Sequence, residues 1–407
     1  MLYRTRLAVV TVLAALSIAP AACSSTLQVP AAKPIPASSS LVVLEYEAWF
    51  APQAATFQTA EAMPILQSKV MQPIGGGYDS TDPHVIAQHL KWMEYMGVDA
   101  ATADVSNNVG CIFSTGPPSL RFCNPASESF RHSNRIIRDN TANLYPAWSK
   151  LASPIKLIPL LGCLSRLDLN KGLDGKSGFQ KEIEYFGRLM QRYPALNVTY
   201  AGHPLLLVYV GTPVDPAILA GAKAVLHRTG LDSHYTFRIV GGYLDAQPSF
   251  WADPNQHPHG PMQIAPRYGF WSYVDRYKPE FDYYPTYSTI PGSDAVENFT
   301  VSIATAGYKG WGCPRPKICA DVATRYGPTG RNYVTLEAYM KLAAQLRPAF
   351  LIIHQFNEFV RPDEGWNAQT SDDSEPTQLP HGWGYSGIDA IRNAIFAYKS
   401  ARSSVQP

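Results

Sequence analysis

The feature that most limits the fold of this chain is a series of eight short β-rich runs, most of them followed by a stretch with helical periodicity. The runs are short and rich in β-forming residues, and their alternation with helical stretches is typical of a parallel sheet. They occupy residues 41–50, 98–106, 155–164, 204–211, 235–243, 269–274, 300–306 and 350–358. Such a sheet needs helices on its faces.

The intervening stretches predict those helices. In the first of them Ile86, Leu90 and Met93 recur at helical spacing, and Asp82-Pro83 forms a start signal. Helices are predicted at 83–96, 133–151, 179–193, 216–229, 335–346 and 388–401, with a short one around Asp294. The alternation predicts an α/β fold, a (β/α)8 TIM barrel with enlarged loops over residues 41–402.

An open, doubly wound parallel sheet is the alternative to the barrel. That fold usually has a glycine-rich phosphate turn between its first strand and first helix. The run Gly75-Gly76-Gly77 is not such a turn, because it precedes a polar turn rather than opening a helix. We therefore expect the barrel.

The N-terminal residues have the pattern of an export signal. Arg4 and Arg6 precede an apolar run over 7–19 that is too short to span a bilayer. Residues 19–21 match an A-x-A cleavage site, and residues 20–23 alternatively resemble a lipobox in which Cys23 is lipidated. The predicted organisation is a signal peptide over 1–23, a flexible linker over 24–40, and the barrel.

Charge and cysteine content narrow the partners and the compartment. The 407 residues contain 34 basic and 32 acidic side chains, so the net charge of +2 gives no electrostatic reason to bind nucleic acid. We expect a secreted, periplasmic or cell-surface protein that contacts a membrane only through an N-terminal lipid anchor. Local disulfides are expected at Cys111–Cys123 and Cys313–Cys319, with Cys163 a buried thiol.

No metal site and no cofactor are predicted, because the sequence has no CxxC or HxxxH spacing. The acidic group Asp372, Asp373 and Glu375 allows a calcium site or a solvated loop.

Acidic residues at strand ends are the candidate catalytic groups, because a barrel carries its chemistry at the C-terminal ends of its strands. Glu358 ends the eighth strand, and Glu364 follows in a loop that contains Gly365. Hydrolysis of a glycosidic bond needs two carboxyl groups, one protonated and one ionised. The alternative is that Glu358 pairs with Arg361 and only holds the loop.

Further residues at strand ends are candidates for substrate binding. Asp104 ends the second strand, and Asn357 precedes Glu358. Glu47 shares a strand face with Glu45, and Tyr46 points to the other face. Tyr46 and Glu47 are included with Asp104 and Asn357 as predicted sugar contacts; the alternative for each is a structural role at a strand end.

Aromatic side chains are the last group of candidates. Six tryptophans follow strand ends or lie in the next loops: Trp49, Trp251, Trp271, Trp311, Trp366 and Trp383. Sugar rings stack their C–H faces on aromatic rings, so we expect two or three of these to line a groove. Trp311 and Trp366 are the predicted ones.

Two groups of motifs resemble glycoside hydrolase family 99 and its relatives around family 71, the endo-acting α-mannosidases and α-glucanases. Residues 77–83 (Gly-Tyr-Asp-Ser-Thr-Asp-Pro), then Gly97 and Asp99 before Asp104, are similar to the opening YDS-DP…G-D-F--D. Phe356-Asn357-Glu358, then Glu364-Gly365 and Glu375-Pro376, are similar to FNEW-EG…EP.

This resemblance implies a retaining, endo-acting glycosidase that acts through an anhydro-sugar intermediate. It implies that Glu358 assists from the side of the sugar 2-hydroxyl and that Glu364 is the general acid/base. The chain inserts residues 360–363 between the two, so Asp363 is the alternative acid. The expected partner is a polysaccharide or oligosaccharide.

Two other functions remain open from the sequence. A carbohydrate-binding surface lipoprotein that has lost catalysis would have the same barrel and the same aromatic loops. An esterase would need a nucleophile elbow, and no GxSxG is present.

Overall fold

The structure is a computed structural model. It describes residues 40–51, 73–74, 77–106, 128–162, 164, 166–210, 215–241, 262–263, 270–272, 286–290, 292–304, 333–358, 371 and 373–403. The predicted signal peptide, nearly all of the linker and all six cysteines lie outside these residues. In the described part of the chain, no helix combines the length and the apolar character needed to cross a membrane.

The strands of the described residues are numbered in chain order. They are β1 (Leu41–Glu47), β2 (Ala100–Asp104), β3 (Lys156–Gly162), β4 (Thr199–Tyr200), β5 (His203–Tyr209), β6 (Thr236–Gly241), β7 (Met262–Gln263), β8 (Phe270–Ser272), β9 (Thr286–Thr289), β10 (Val296–Ser302) and β11 (Phe350–His354). The helices are α1 (Pro83–Met96), α2 (Glu128–Leu151), α3 (Gly178–Arg192), α4 (Pro216–Thr229), α5 (Val334–Leu346) and α6 (Ser386–Ser403).

Eight of these strands form one curled parallel sheet. Their order is β10-β11-β1-β2-β3-β5-β6-β8, and every hydrogen-bonded pair along it is parallel. These are the eight predicted strands in the order in which a (β/α)8 barrel arranges them. Among the described residues no backbone ladder joins β8 to β10, so the structure confirms a half-barrel in a mixed α/β fold, and the closed barrel stays a prediction.

The short helix predicted around Asp294 is wrong. Residues 292–295 instead form a turn between the antiparallel strands β9 and β10. The Ile290 N–H donates to the Ala295 carbonyl at 2.9 Å, and the Ala295 N–H donates to Ser293 Oγ at 3.0 Å. A serine side chain that bonds the nearby backbone competes with helical hydrogen bonding, which explains the difference.

The main helices agree with the sequence prediction because their start signals are local. Helix α1 begins at Pro83, and the Asp82 carboxylate accepts a hydrogen bond from the backbone N–H of His84 at 2.8 Å. Helix α4 begins in the same way at Pro216, after Asp215. An N-cap carboxylate satisfies one of the free N–H groups of the first turn, so both boundaries are set within a few residues.

The strands separate two hydrophobic cores. Alternate residues pack outward against the helices, among them Leu44, Tyr46 and Ala101. The residues between them fill the inside of the curled sheet, among them Leu160, Leu207, Val240, Trp271, Phe350 and Ile352. On β1 and β2 the inner face is apolar at Val43 and Ala100 and becomes polar toward the C-terminal ends of the strands.

Candidate functional site

The inward faces of β1 and β2 become acidic at their C-terminal ends. On β1 the inward positions are Val43, Glu45 and Glu47, and on β2 they end in Thr102 and Asp104. In the parallel register Glu45 lies beside Thr102, and Glu47 lies beside Asp104. Because side chains on a strand alternate between faces, EYE places Glu45 and Glu47 on one face and TAD places Thr102 and Asp104 on one face, and the register then brings the two pairs together.

The three carboxylates of this patch are close together and almost fully buried. One oxygen from each of Glu45, Glu47 and Asp104 lies within 4.8 Å of the others, and the three residues are 1%, 0% and 3% exposed. Charged groups at such distances inside a protein repel strongly unless protons or a cation compensate them.

The pKa values of two of these groups reflect that repulsion. Burial raises the pKa of Glu47 well above its usual range, and the neighbouring Glu45, Asp104 and Glu358 add to the shift. Burial likewise raises the pKa of Asp104 to about 8, and Glu45 adds to it, although hydrogen bonds from Ser106 act in the opposite direction. Glu47 and Asp104 therefore favour their protonated forms at neutral pH when no cation is near.

The segment that follows β11 completes the site. His354, the last residue of β11, contacts the Glu45 carboxylate through Nδ1. The Phe356 N–H donates to the Glu45 carbonyl at 3.0 Å, which keeps the chain parallel to β1 beyond the end of the strand. His354 thus links the end of β11 to the acidic end of β1.

Asn357 joins β1 to this segment. Its Nδ2 donates to the Glu47 carbonyl and to the Tyr78 hydroxyl, both at 2.9 Å, and its Oδ1 accepts from the Glu47 N–H at 3.0 Å. The residue is 0% exposed. Both amide hydrogens and the amide oxygen have protein partners, so we assign Asn357 to positioning Glu47 rather than to the predicted sugar contact.

Glu358 is the partly exposed acid of the site. Its Oε2 accepts a hydrogen bond from Gln355 Nε2 at 2.5 Å. Its charge contributes to the raised pKa values of Glu47 and Asp104, which places it near them. The predicted partners Glu364, Asp363 and Trp366, the loop residue Arg361, and Trp311 lie outside the described residues.

Tyr46 lies on the opposite face of β1, as its position in the strand predicts. It packs in the outer core, 1% exposed, and its hydroxyl is 3.0 Å from His89 Nδ1. It is therefore separated from the acidic patch by the sheet itself, and we do not include it among the groups that face a substrate.

Glu375 is a structural residue that the sequence analysis did not assign to the site. Its Oε2 accepts from the Tyr78 hydroxyl at 2.9 Å, and its Oε1 lies 3.2 Å from His89 Nε2. Through Tyr78 it supports Asn357, and through Asn357 it supports Glu47. The sequence signal for this residue was the Glu-Pro pair of the second motif group. Glu375 is buried and holds Tyr78 and His89, and Asp372 of the acidic group lies outside the described residues.

Of the six candidate tryptophans, Trp251, Trp311 and Trp366 lie outside the described residues, and the other three are packing residues. Trp49, Trp271 and Trp383 are all buried, and each indole N–H has a protein acceptor. The acceptors are the Asp104 carbonyl, Glu297 Oε2 and the Glu375 carbonyl, at 3.0, 2.8 and 2.9 Å. Their rings are therefore unavailable for stacking on a sugar.

Comparison of this chain with known proteins gives matches among solved structures. No protein-family model matches it, and no curated protein matches it in sequence. Among solved structures it is similar to the GH99 endo-α-mannosidase from Bacteroides thetaiotaomicron in complex with bis-tris-propane, with 14% identity, 90% of this chain and 99% of that chain covered, and a TM-score of 0.46.

A second structure of that mannosidase gives 14% identity, 89% and 98% coverage, and a TM-score of 0.45. A glycoside hydrolase-like protein gives 11% identity, 90% and 97% coverage, and a TM-score of 0.46. Similarity at this level concerns the path of the backbone, and no residue role is transferred from those structures to this chain.

Proposed function

We propose that this chain is a glycoside hydrolase that acts on a polysaccharide or glycan, with Glu358 as one of its two working carboxylates. The observation that carries the proposal is the position of Glu358, partly exposed at the C-terminal edge of the curled sheet and beside buried acids. A carboxylate in that place can reach a ligand, and its neighbours influence its charge.

The second working carboxylate in this proposal is Glu364, with Asp363 as the alternative. Glu358 assists from the side of the sugar 2-hydroxyl, and the loop acid protonates the leaving oxygen and later activates water. Retention, endo action, a closed barrel over 41–402 and export as a secreted or lipid-anchored protein are parts of the same proposal, and they rest on the sequence patterns.

The test is a set of single replacements in the mature protein. We expect Glu358→Gln and Glu364→Gln each to lower kcat on the active substrate by roughly 10²–10⁴-fold, because each removes a carboxyl that takes part in the reaction. Substrates to screen are α-mannan, α-glucan, arabinan and xylan. Thermal unfolding should stay near that of the wild type.

The matched control is Glu184→Gln, which changes a carboxylate to an amide on the outer helix α3. It should keep full activity. Hydrolysis by Glu358→Gln at the wild-type rate would contradict the site assignment. Wild-type protein that binds an oligosaccharide without cleaving it would instead support the carbohydrate-binding alternative.

A further inference from the structure

The acidic patch formed by Glu45, Glu47 and Asp104 contains three carboxylates, and His354 contacts the one of Glu45. The largest charge effects on Glu47 all come from other acids: Glu45, Asp104, Glu358 and Asp373. Three carboxylates within 4.8 Å of one another, each at most 3% exposed, need either several protons or one cation.

A second observation favours a ligand that accepts electron pairs. The Thr102 hydroxyl is buried, the residue being 2% exposed, and its Oγ1 has no hydrogen-bond partner within the described part of the chain. Thr102 lies on the same strand face as Asp104 and beside Glu45 in the register. One oxygen of Glu47, Oε1, also has no partner there.

We propose that Glu45, Glu47 and Asp104, together with the Thr102 hydroxyl, bind one calcium ion inside the C-terminal end of the sheet. A water molecule could bond to Thr102, but it would leave the repulsion between the carboxylates in place. A cation satisfies the hydroxyl and compensates the charges at the same time.

The oxygen ligands and their spacing are compatible with calcium. Calcium binds oxygen at roughly 2.3–2.6 Å, so ligands on opposite sides of the ion are up to about 5 Å apart. Magnesium binds at roughly 2.0–2.1 Å and holds opposite ligands about 4 Å apart. Carboxylate oxygens that lie within 4.8 Å of one another can share one calcium ion.

Calcium binding at this patch is a property separate from the proposed hydrolysis by Glu358, and it does not depend on that hydrolysis. Four protein oxygens leave coordination positions open, since calcium takes six to eight ligands. Hydroxyl groups of a sugar can occupy such positions, so the ion would take over the substrate contact predicted for Asp104 and Glu47.

The experiment is calcium titration of the EDTA-treated mature protein, followed by calorimetry and by thermal unfolding. We expect wild-type protein to bind one calcium ion and to unfold at a higher temperature with it. Asp104→Asn should raise the Kd for calcium by roughly tenfold or more, and Thr102→Val by several-fold. Glu184→Gln, with its changed carboxylate on α3, should bind calcium like the wild type.

Thr102→Val keeps the shape of the side chain and so guards against a variant that simply unfolds. Absence of calcium binding at millimolar concentration would overturn the proposal. So would binding that neither Asp104→Asn nor Thr102→Val weakens, because the ion would then lie elsewhere.

Glu358→Gln separates this proposal from the proposed hydrolysis. It should still bind calcium while losing activity. If activity depends on Glu358 but no calcium binds, only the ion site fails; if calcium binds at this patch but no glycan is cleaved, only the hydrolase proposal fails.

Discussion

Glu45, Tyr46 and Glu47 are consecutive in the chain, and the strand sends them to two different environments. The two glutamates face the inside of the sheet and belong to the acidic patch, whereas the tyrosine contacts His89 in the outer core. The period of two in a strand predicts this separation. It does not predict that Asp104 lies within 4.8 Å of both glutamates, because that depends on the register between β1 and β2.

Glu182 is another buried acid; it lies on α3 and is 0% exposed. Burial raises the pKa of its carboxyl well above its usual range, and Asp168 and Asp104 add to the shift. The unfolded chain ionises this group near pH 4.5 while the folded chain keeps it protonated, so stability falls as pH rises above that value.

We therefore expect Glu182→Gln to be more stable than the wild type at pH 8, by something of the order of 1 kcal/mol, with little difference at pH 4. Urea unfolding at several pH values measures this. A stability difference that does not grow with pH would contradict the assignment.

Glu184→Gln is the control on the same helix. Partial burial raises the pKa of Glu184, but hydrogen bonds from Lys176 and Gln180 outweigh that effect and lower it overall. Its stabilising contribution is present at neutral pH and is lost as pH falls, so the control should show the opposite trend. For a partly exposed pair the change should be below about 0.5 kcal/mol.

At the scale of elements, the helices match the sequence prediction more closely than the strand ends do. Helices α1 and α4 have the predicted bounds, because caps act within a few residues. The eighth strand was predicted over 350–358 and ends at His354, where the chain begins to bond with Glu45 and Glu47. A strand ends where its ladder ends, and the ladder depends on a neighbour far away in sequence.

Strands β3 and β5 lie so close together at Gly162 that a side chain at this position should destabilise the fold. Gly162 has a φ of +120°, and a Cβ there would lie 2.1 Å from the Tyr209 carbonyl oxygen. We expect Gly162→Ala to cost more than about 3 kcal/mol, since the strain and the overlap with rigid backbone add together. Chemical unfolding of the soluble protein measures the loss.

Gly175→Ala is the matched control, because Gly175 also has a positive φ, +75°, but has open space around an added Cβ. It should cost only about 1–2 kcal/mol, the price of the backbone conformation alone. Equal losses for the two variants would show that the contact between β3 and β5 does not limit residue 162.

At the scale of the whole molecule, side-chain hydrogen bonds connect the two ends of the curled sheet, β8 and β10. Glu297 on β10 accepts hydrogen bonds from Arg238 on β6 at 2.7 Å, from Trp271 on β8 at 2.8 Å and from Tyr200 at 2.8 Å. The carboxylate is 0% exposed. Side-chain bonds thus cross the gap between β8 and β10, where the described residues show no ladder.

We expect Glu297→Ala to destabilise the protein by about 3–5 kcal/mol, because it leaves the Arg238 guanidinium without its buried carboxylate. Unfolding in urea gives the free energy, and hydrogen exchange should show faster exchange in β8 and β10. Arg166→Met, which removes an exposed ion pair with Asp215, is the control and should change stability by less than about 0.5 kcal/mol. A loss no larger than in the control would mean that Glu297 does not hold the gap.

The sequence alone determined the order of strands and helices, the outward direction of Tyr46 and the acids at the ends of β1, β2 and the segment after β11. These features follow from periodicity and from caps, which act over a few residues. The tertiary structure alone decided that three carboxylates share one buried patch and that the Asn357 amide is used within the protein. Distances between strands depend on register and sheet curvature, and these arise from contacts between residues far apart in the chain.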